Sequence, residues 1–256
     1  SLWAKIIKED YKAEDPKSMW LRMIAGGGGG GLTFEQAEVN IMRGAYYALI
    51  SALSGAQTMA LCSYDEAYTI PTEYSARVSL RTMQLLTEEM GMCETVDPLA
   101  GSYYVETMTN QMRKRMEEVM AEVDKEGGII EMVRDGRIQA KVSSQAYGMT
   151  RNIESGAFPK VGVNCYRVDK EDEHEVEFHE YSEADTKLQT DSLAKVKAER
   201  DGAEVARCLD QLSEDAKAEI NVMPAIMAAV KAYATVGEMT NALTAVYGHY
   251  EEPIRF

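Results

Sequence analysis

Three groups of residues in this 256-residue chain have the types and spacing to do chemistry. The first is a run of six glycines, Gly26 to Gly31, between the apolar Met23-Ile24-Ala25 and Leu32-Thr33. Glycine lets a backbone come close to a ligand. The run is therefore a candidate phosphate loop, linker or pocket floor. A phosphate loop of the G-x-x-x-x-G-K-[ST] type needs Lys followed by Ser or Thr, and Leu32-Thr33 stands there instead. A dinucleotide loop needs an acid at the end of the next strand, about 20 residues on, and none is convincing. Linkers carry polar shoulders, whereas both flanks here are apolar. The pocket floor is the favoured reading.

The second group is CSYDEAYTIPTE (62–73), where Asp65 and Glu66 follow an apolar run. If that run is a barrel strand, acids directly after it face an active site. The alternative is that Asp65 or Glu73 only caps a helix. The third group is His174 and His179 in DKEDEHEVEFHEY. Imidazoles among carboxylates could hold a metal ion, but a solvated charged strand is the better reading, and no metal is expected. Cys62, Cys93, Cys165 and Cys208 form no C-x-x-C pair. Disulfide or zinc use is not expected, and a reducing cytoplasm is.

The elements that must position these groups follow from periodicity. Residues 1–21 read as a helix with Trp3, Ile6, Ile7 and Tyr11 on one face, interrupted near Asp15-Pro16. SMWLRMIA (18–25) reads as a buried strand. Thr33 and Gln36 fit a capping box, so a helix is predicted from there through Ile41, Ala45, Leu49 and Leu53 to Ser54-Gly55. AQTMALCSY (56–64) is a second strand, apolar on both faces as in parallel sheets. Pro71-Thr72 opens a helix to about Met90. Strand, helix, strand, helix is the rhythm of an α/β fold.

Beyond VDPLAGSYYVE (96–106) a long helix is predicted over about 104–125, with shorter ones over 129–156. VGVNCYRV (161–168) and EVEFHEY (175–181) read as short strands, and 184–248 as three or four helices. The sixteen Met residues read as core filler.

Composition excludes several classes. Hydrophobic residues make up 45%, enough for a sizeable core. Acids outnumber bases 42 to 27, for a net charge of −15. A phosphate backbone needs a basic face, so nucleic acid is not an expected partner. No apolar run is long enough to span a membrane. No basic segment followed by an apolar one opens the chain, so no signal peptide is expected. The absent initiator Met suggests a processed or trimmed piece.

Four stretches together resemble one family. They are SYDEAYTIPTEYSARVSLRTMQLLTEE (63–89), VDPLAGSYYVETMTNQ (96–111), VGVNCY (161–166) and ATVGEMTNAL (234–243). They are similar to the large, catalytic subunit of the adenosylcobalamin-dependent acyl-CoA mutases, the methylmalonyl-CoA mutase family. The resemblance covers essentially the whole chain. It implies an α/β fold: the C-terminal strands of a (β/α)8 TIM barrel in residues 1–95, then a mostly helical C-terminal extension with a small strand insert in 96–256. In that family acyl-CoA threads the barrel axis and cobalamin lies against its C-terminal face. The N-terminal barrel segment, with most substrate contacts, has no counterpart here. The chain also lacks the D-x-H-x-x-G cobalt-ligand motif. Its ending resembles the branch that carries cobalamin on a separate small subunit, as 2-hydroxyisobutyryl-CoA mutase does.

Residue by residue, the resemblance implies cofactor contacts at Gly29, Glu66, Ala67 and Thr69. Glu66 would accept hydrogen bonds from the deoxyadenosyl ribose. It implies acyl-CoA contacts at Gln57, with Lys17 and Arg22 on the CoA side. No residue of this segment is expected to be catalytic in its own right, because the cofactor carries the radical chemistry. The family usually has Gln-Thr at Gly26-Gly27 and a larger residue at Gly30. The glycines therefore suggest a wider acyl pocket, for a substrate bulkier than methylmalonyl-CoA. Each glycine costs about 0.5–1 kcal/mol relative to Ala, which favours a functional reason.

The expected function is part of an isomerase that rearranges the carbon skeleton of an acyl-CoA. It would be incomplete without the N-terminal barrel half and a cobalamin-binding domain. The expected assembly is a hetero-oligomer, with a GTPase chaperone as a further partner. The alternatives are a methylmalonyl-, isobutyryl- or 2-hydroxyisobutyryl-CoA mutase, or a non-catalytic scaffold.

Overall fold

The structure, a computed structural model, describes residues 1–27, 29–169 and 175–253. Gly28 of the glycine run and His174 of the candidate metal pair lie outside the described residues. The chain divides into two compact units, residues 1–179 and 180–253.

The first unit opens with α1 (Leu2–Glu9), shorter than the predicted helix. Lys12 takes a left-handed φ of 56°, which ends helical hydrogen bonding. Pro16 then starts a single 3-10 turn, and Asp15 accepts a hydrogen bond from the Lys17 N–H at 2.8 Å. The first strand, β1 (Ile24–Gly27), begins later than the apolar run suggested and includes the first glycines. After α2 (Val39–Leu53), β2 (Thr58–Leu61) pairs with β1 in parallel, from Ile24 opposite Thr58 to Gly27 opposite Leu61. Helix α3 (Glu73–Glu88) completes the strand–helix–strand–helix unit. This mixed α/β arrangement holds the one sheet among the described residues, and a closed barrel is not part of it.

Glycine at position 26 has a local cause. A Cβ there would land on the carbonyl of Ala60, its register partner, so the two backbones lie closer than side chains permit. Gly26 therefore serves strand pairing rather than cavity width. Gly30 differs, because a Cβ built there meets nothing within 4 Å. The second strand is not buried on both faces as predicted. Met59 and Leu61 are partly covered, while Thr58 and Ala60 are exposed.

The helix predicted from Thr33 starts only at Val39, without a side-chain cap. Gln36 has a left-handed φ of 49°, and its amide goes to a distant carbonyl instead of the helix start. The buried stripe of α2 is Asn40, Gly44, Ala48 and Ser51, adjacent to the apolar positions chosen from periodicity. Small residues let α2 lie close on the sheet: a Cβ on Gly44 would sit 3.5 Å from Leu61. Ser75 and Ser79 do the same for α3, where the Ser79 hydroxyl donates to the Leu61 carbonyl at 2.7 Å. Thr72 and Ser75 cap α3 reciprocally, so neither Asp65 nor Glu73 is its cap.

Helices α4 (Tyr103–Lys125), α5 (Ile129–Arg134) and α6 (Arg137–Glu154) follow. The methionines are not mainly core filler. Met132 is buried, but Met108, Met112, Met116 and Met120 lie exposed along α4. The predicted strands at 161–168 and 175–181 are absent. Val161 and Cys165 form an isolated bridge closing a turn, and 175–181 is irregular.

The second unit is helical: α7 (Glu183–Glu199), α8 (Gly202–Lys217), α9 (Met223–Lys231) and α10 (Val236–Tyr247). Val205, Cys208, Leu212 and Ala216 form the buried stripe of α8, joined by Ala225 and Ala229 of α9. Arg200 donates to Glu238 and to the Tyr233 carbonyl, both at 2.8 Å. Glu238 also accepts from the Thr235 N–H at 2.8 Å, closing a capping box on α10. Among the described residues no helix is long and apolar enough to cross a membrane.

Two outcomes are expected. Gly26→Ala lowers stability by about 1–3 kcal/mol through overpacking. Gly30→Ala is neutral or raises it by about 0.4–1 kcal/mol by restricting the unfolded chain. Parallel thermal melts check the opposite signs. Arg200, and then the Thr235 N–H, hold the Glu238 carboxyl well below the usual carboxylate range. A depressed folded value stabilises at pH values above the ordinary one, and that stabilisation fades as pH falls through the folded value. Protection of the α10 amides from hydrogen exchange, taken relative to the intrinsic rate at each pH, should therefore fall on acidification below about pH 4.5, the ordinary value. Glu238→Gln should exchange faster at neutral pH and show a flatter acid response.

Candidate functional site

Because β1 and β2 are parallel, the chain leaves both at the same end. The segments after Gly27 and after Leu61 thus emerge side by side, and their residues meet. A Cβ on Gly29 would lie 3.1 Å from Glu66 Cγ and 3.4 Å from Glu66 Oε1. The Gly29 N–H also points at the Cys62 sulfur. Partial burial, then the nearby Glu66 charge, push the Cys62 thiol above its ordinary value, and the Gly29 N–H partly opposes them. Glu66 is exposed, and its carboxylate has no ion-pair or hydrogen-bond partner among the described residues. Gly29 and Glu66 lie side by side, with the exposed carboxylate next to the glycine backbone.

Asn40, which is 1% exposed, sets the spacing of the two loops. Its Nδ2 donates to the Thr33 carbonyl at 2.8 Å and to the Tyr64 carbonyl at 2.9 Å. Its Oδ1 accepts from the Thr33 N–H at 3.0 Å and from Arg43 at 2.8 Å. One amide thus holds the end of the glycine segment against the turn that carries Asp65 and Glu66. Arg43 extends the network to the Thr33 hydroxyl at 2.7 Å and the Val161 carbonyl at 2.6 Å. Gln36 donates to the Tyr166 carbonyl at 2.9 Å. The VGVNCY turn is therefore part of the site's foundation rather than a strand.

Aromatic rings flank this face. Phe34 stacks on Tyr68 with centroids 4.0 Å apart, and Phe178 meets Tyr68 edge-on at 6.1 Å. The Tyr68 hydroxyl donates to the Phe34 carbonyl. The His179 N–H donates to Thr69 Oγ1 at 3.2 Å. His179 thus meets this loop through its backbone. Among the described residues no cluster of three His, Cys, Asp or Glu could hold a metal ion.

The other expected site residues lie at the opposite end of the strands. Arg22 and Gln57, just before β1 and β2, line an open cavity of about 450 Å³ with Trp20, Met23, Ile24 and Thr58. Lys17 lies on the 3-10 turn and is not among its lining residues. Four-residue strands separate the two ends by roughly 10–13 Å. Gly26 and Gly27 lie on β1 between them. Ala67 neighbours Glu66 and is exposed.

Sequence reasoning missed Asn40, Arg43, Cys62 and Tyr68. One signal was available: Asn40 shares a helical face with Gly44, Ala48 and Ser51. An Asn on a small-residue stripe marks a buried amide that must be satisfied. Nothing comparable marked Cys62 or Tyr68.

Comparisons with known proteins identify the family. The profile of the methylmalonyl-CoA mutase family matches residues 1–249. The 2-hydroxyisobutanoyl-CoA mutase large subunit of Aquincola tertiaricarbonis is 39% identical over 98% of this chain, which covers 44% of that protein. Methylmalonyl-CoA mutase of Escherichia coli is 33% identical over 98% of this chain and 35% of its own length. The mitochondrial methylmalonyl-CoA mutase of Homo sapiens is 33% identical over 98% of the chain and 33% of its own length. The chain thus spans less than half the length of these curated relatives. With a match across nearly all of its residues, the chain belongs to the methylmalonyl-CoA mutase family.

Proposed function

We propose that the chain is the C-terminal part of the catalytic subunit of an adenosylcobalamin-dependent acyl-CoA mutase. One observation carries the reading: Gly29 and Glu66 meet where two parallel strands end, in a chain of this family. Residues 1–95 are then the last part of a TIM barrel, and 96–256 its helical extension. The acyl-CoA, an N-terminal barrel segment and a cobalamin-binding small subunit are its partners. The words "large subunit" in the name of the Aquincola relative support the hetero-oligomer.

The donor set fits the cofactor. Gly29 leaves the Glu66 side chain unobstructed, and Glu66 offers an exposed carboxylate for ribose hydroxyls. When bound, adenosylcobalamin supplies the radical chemistry of the rearrangement. The residues of this chain bind and orient. Glu66 accepts hydrogen bonds from the ribose, and Ala67, Thr69 and Gly29 lie against the macrocycle. Asn40 keeps the two loops at a fixed spacing. Arg22, Gln57 and Lys17 contact the CoA side, with Gly26 and Gly27 along the acyl group. Separation of these sets by the strand length suits a substrate running along the strands.

The lack of side chains at Gly27 and Gly30, where the family usually carries them, supports a substrate bulkier than methylmalonyl-CoA. A second reading, a 2-hydroxyisobutyryl-type substrate, is supported by the 39% identity to the Aquincola relative. Turnover by the assembled enzyme separates them. Branched or aromatic acyl-CoAs should be better substrates than 2-hydroxyisobutyryl- or isobutyryl-CoA, and the reverse order selects the second reading.

Cofactor binding tests the site directly. Glu66→Gln should weaken adenosylcobalamin binding about 10–100-fold, the worth of a hydrogen bond to a charged group. Binding of hydroxocobalamin, which lacks the deoxyadenosyl group and its ribose, should hardly change. Equal loss for both cofactors, or none for either, rejects the assignment of Glu66. Asn40→Ala should weaken both cofactors and lower the melting temperature, because it unties the loops and strands buried partners.

A further inference from the structure

Asp65 and Glu66 are neighbours with opposite fates. Glu66 is exposed, whereas Asp65 is 1% exposed and neither of its carboxylate oxygens has a hydrogen-bond partner among the described residues. The hydroxyl of Ser63, two positions earlier and 4% exposed, has none either. The backbone carbonyls of Ser63, Tyr64 and Asp65 are hydrogen-bonded. The Asp65 carbonyl accepts from the Tyr68 and Thr69 N–H groups at 2.8 and 3.1 Å, and the Ser63 carbonyl from the Glu66 N–H at 3.2 Å. Three side-chain oxygens of this turn, two of Asp65 and one of Ser63, have no partner among the described residues.

A buried carboxylate that nothing balances has lost its hydration without return. The basic side chains of this region are committed elsewhere. Arg43 is held by Thr33, Asn40 and Val161, and Arg77 pairs with Glu73. The groups that act electrostatically on the adjoining Tyr64 hydroxyl are Asp65, Tyr74 and Glu177, none of them basic. A metal ion is a poor match: hard cations want about six or more oxygen ligands, and this turn offers three. Two parallel carboxylate oxygens suit the planar fork of a guanidinium or, less specifically, an ammonium group. The curated relatives all extend well beyond the part this chain matches, so further polypeptide is a natural source.

We propose that Asp65 and Ser63 form an acceptor site for one cationic side chain, a guanidinium or ammonium group, from polypeptide beyond this 256-residue chain. The three oxygens have almost no accessible surface in this chain, so the turn that carries Glu66 must shift to admit the cation, which would then lock it as the assembly closes. Nothing in this step involves the cofactor, and the proposal survives if the role of Glu66 does not.

The test is the sign of one substitution. In the cofactor-free assembly, Asp65→Asn should lower the melting temperature and weaken association about tenfold or more, because it leaves the partner's cation opposite a neutral amide. If no cation enters, the same change relieves a buried charge, and the melting temperature rises or holds; that result overturns the proposal. The same substitution in the 256-residue chain alone should be neutral or stabilising. A loss there would assign the cation to this chain and overturn the external source. Replacing sodium and potassium by choline at constant ionic strength should leave the wild-type assembly unchanged, and a fall would point to a free ion instead. Should Asp65→Asn not fold, Ser63→Ala serves: a several-fold weaker association is expected, and an unchanged one overturns the proposal.

Discussion

The site depends on one buried amide. Asn40 satisfies its donor and acceptor atoms with the backbone of Thr33, the carbonyl of Tyr64 and the guanidinium of Arg43. The Thr33 and Tyr64 groups belong to different loops, and each would lose this partner without it. Buried polar groups left unmade are costly, so the amide dictates a single spacing between the two loops. The meeting of Gly29 with Glu66 follows from that spacing. An apolar residue of the same size would fill the space and fix nothing.

The amide reaches both loops only because α2 lies close to the sheet. Gly44, Ala48 and Ser51 continue the Asn40 stripe, and Ser75 and Ser79 play the same part on α3. Gly26 repeats the device within the sheet, where β1 and β2 approach too closely for a side chain. The result is a core of small and polar residues around the strands rather than a large apolar one. Such a core gains less from burial per residue. Its order comes from directional hydrogen bonds, which suits loops that must be placed accurately.

The alternation of strands and helices, the long α4 and the four helices after residue 180 were legible in the sequence, because periodicity and glycine breaks carry that information. The start of α2 was not. Thr33 and Gln36 have the types of a capping box, but Thr33 is taken by Asn40 and Arg43, and Gln36 by the Tyr166 carbonyl. Tertiary partners outbid the local motif. The strand at VGVNCY failed for a related reason: its apolar residues close a turn whose carbonyls at Val161 and Tyr166 receive Arg43 and Gln36. The family resemblance named Gly29 and Glu66, and the structure brings these two residues side by side. Asn40 was readable only to someone who weighs a polar residue on a small-residue stripe.

The two adjacent acids give the last step. A turn closed by the Glu66 N–H on the Ser63 carbonyl sends the Asp65 and Glu66 side chains to different surroundings. The exposed carboxylate keeps its hydration until something with hydroxyls displaces the water, so it suits recognition that must be reversible. The buried one has no water to return to, so whatever balances it must be bound as firmly as the fold itself. One dipeptide in a chain of net charge −15 can therefore divide two tasks, holding a ligand above the turn and holding the turn in place below. Burial, not residue type, makes that division, since the two side chains differ by one methylene.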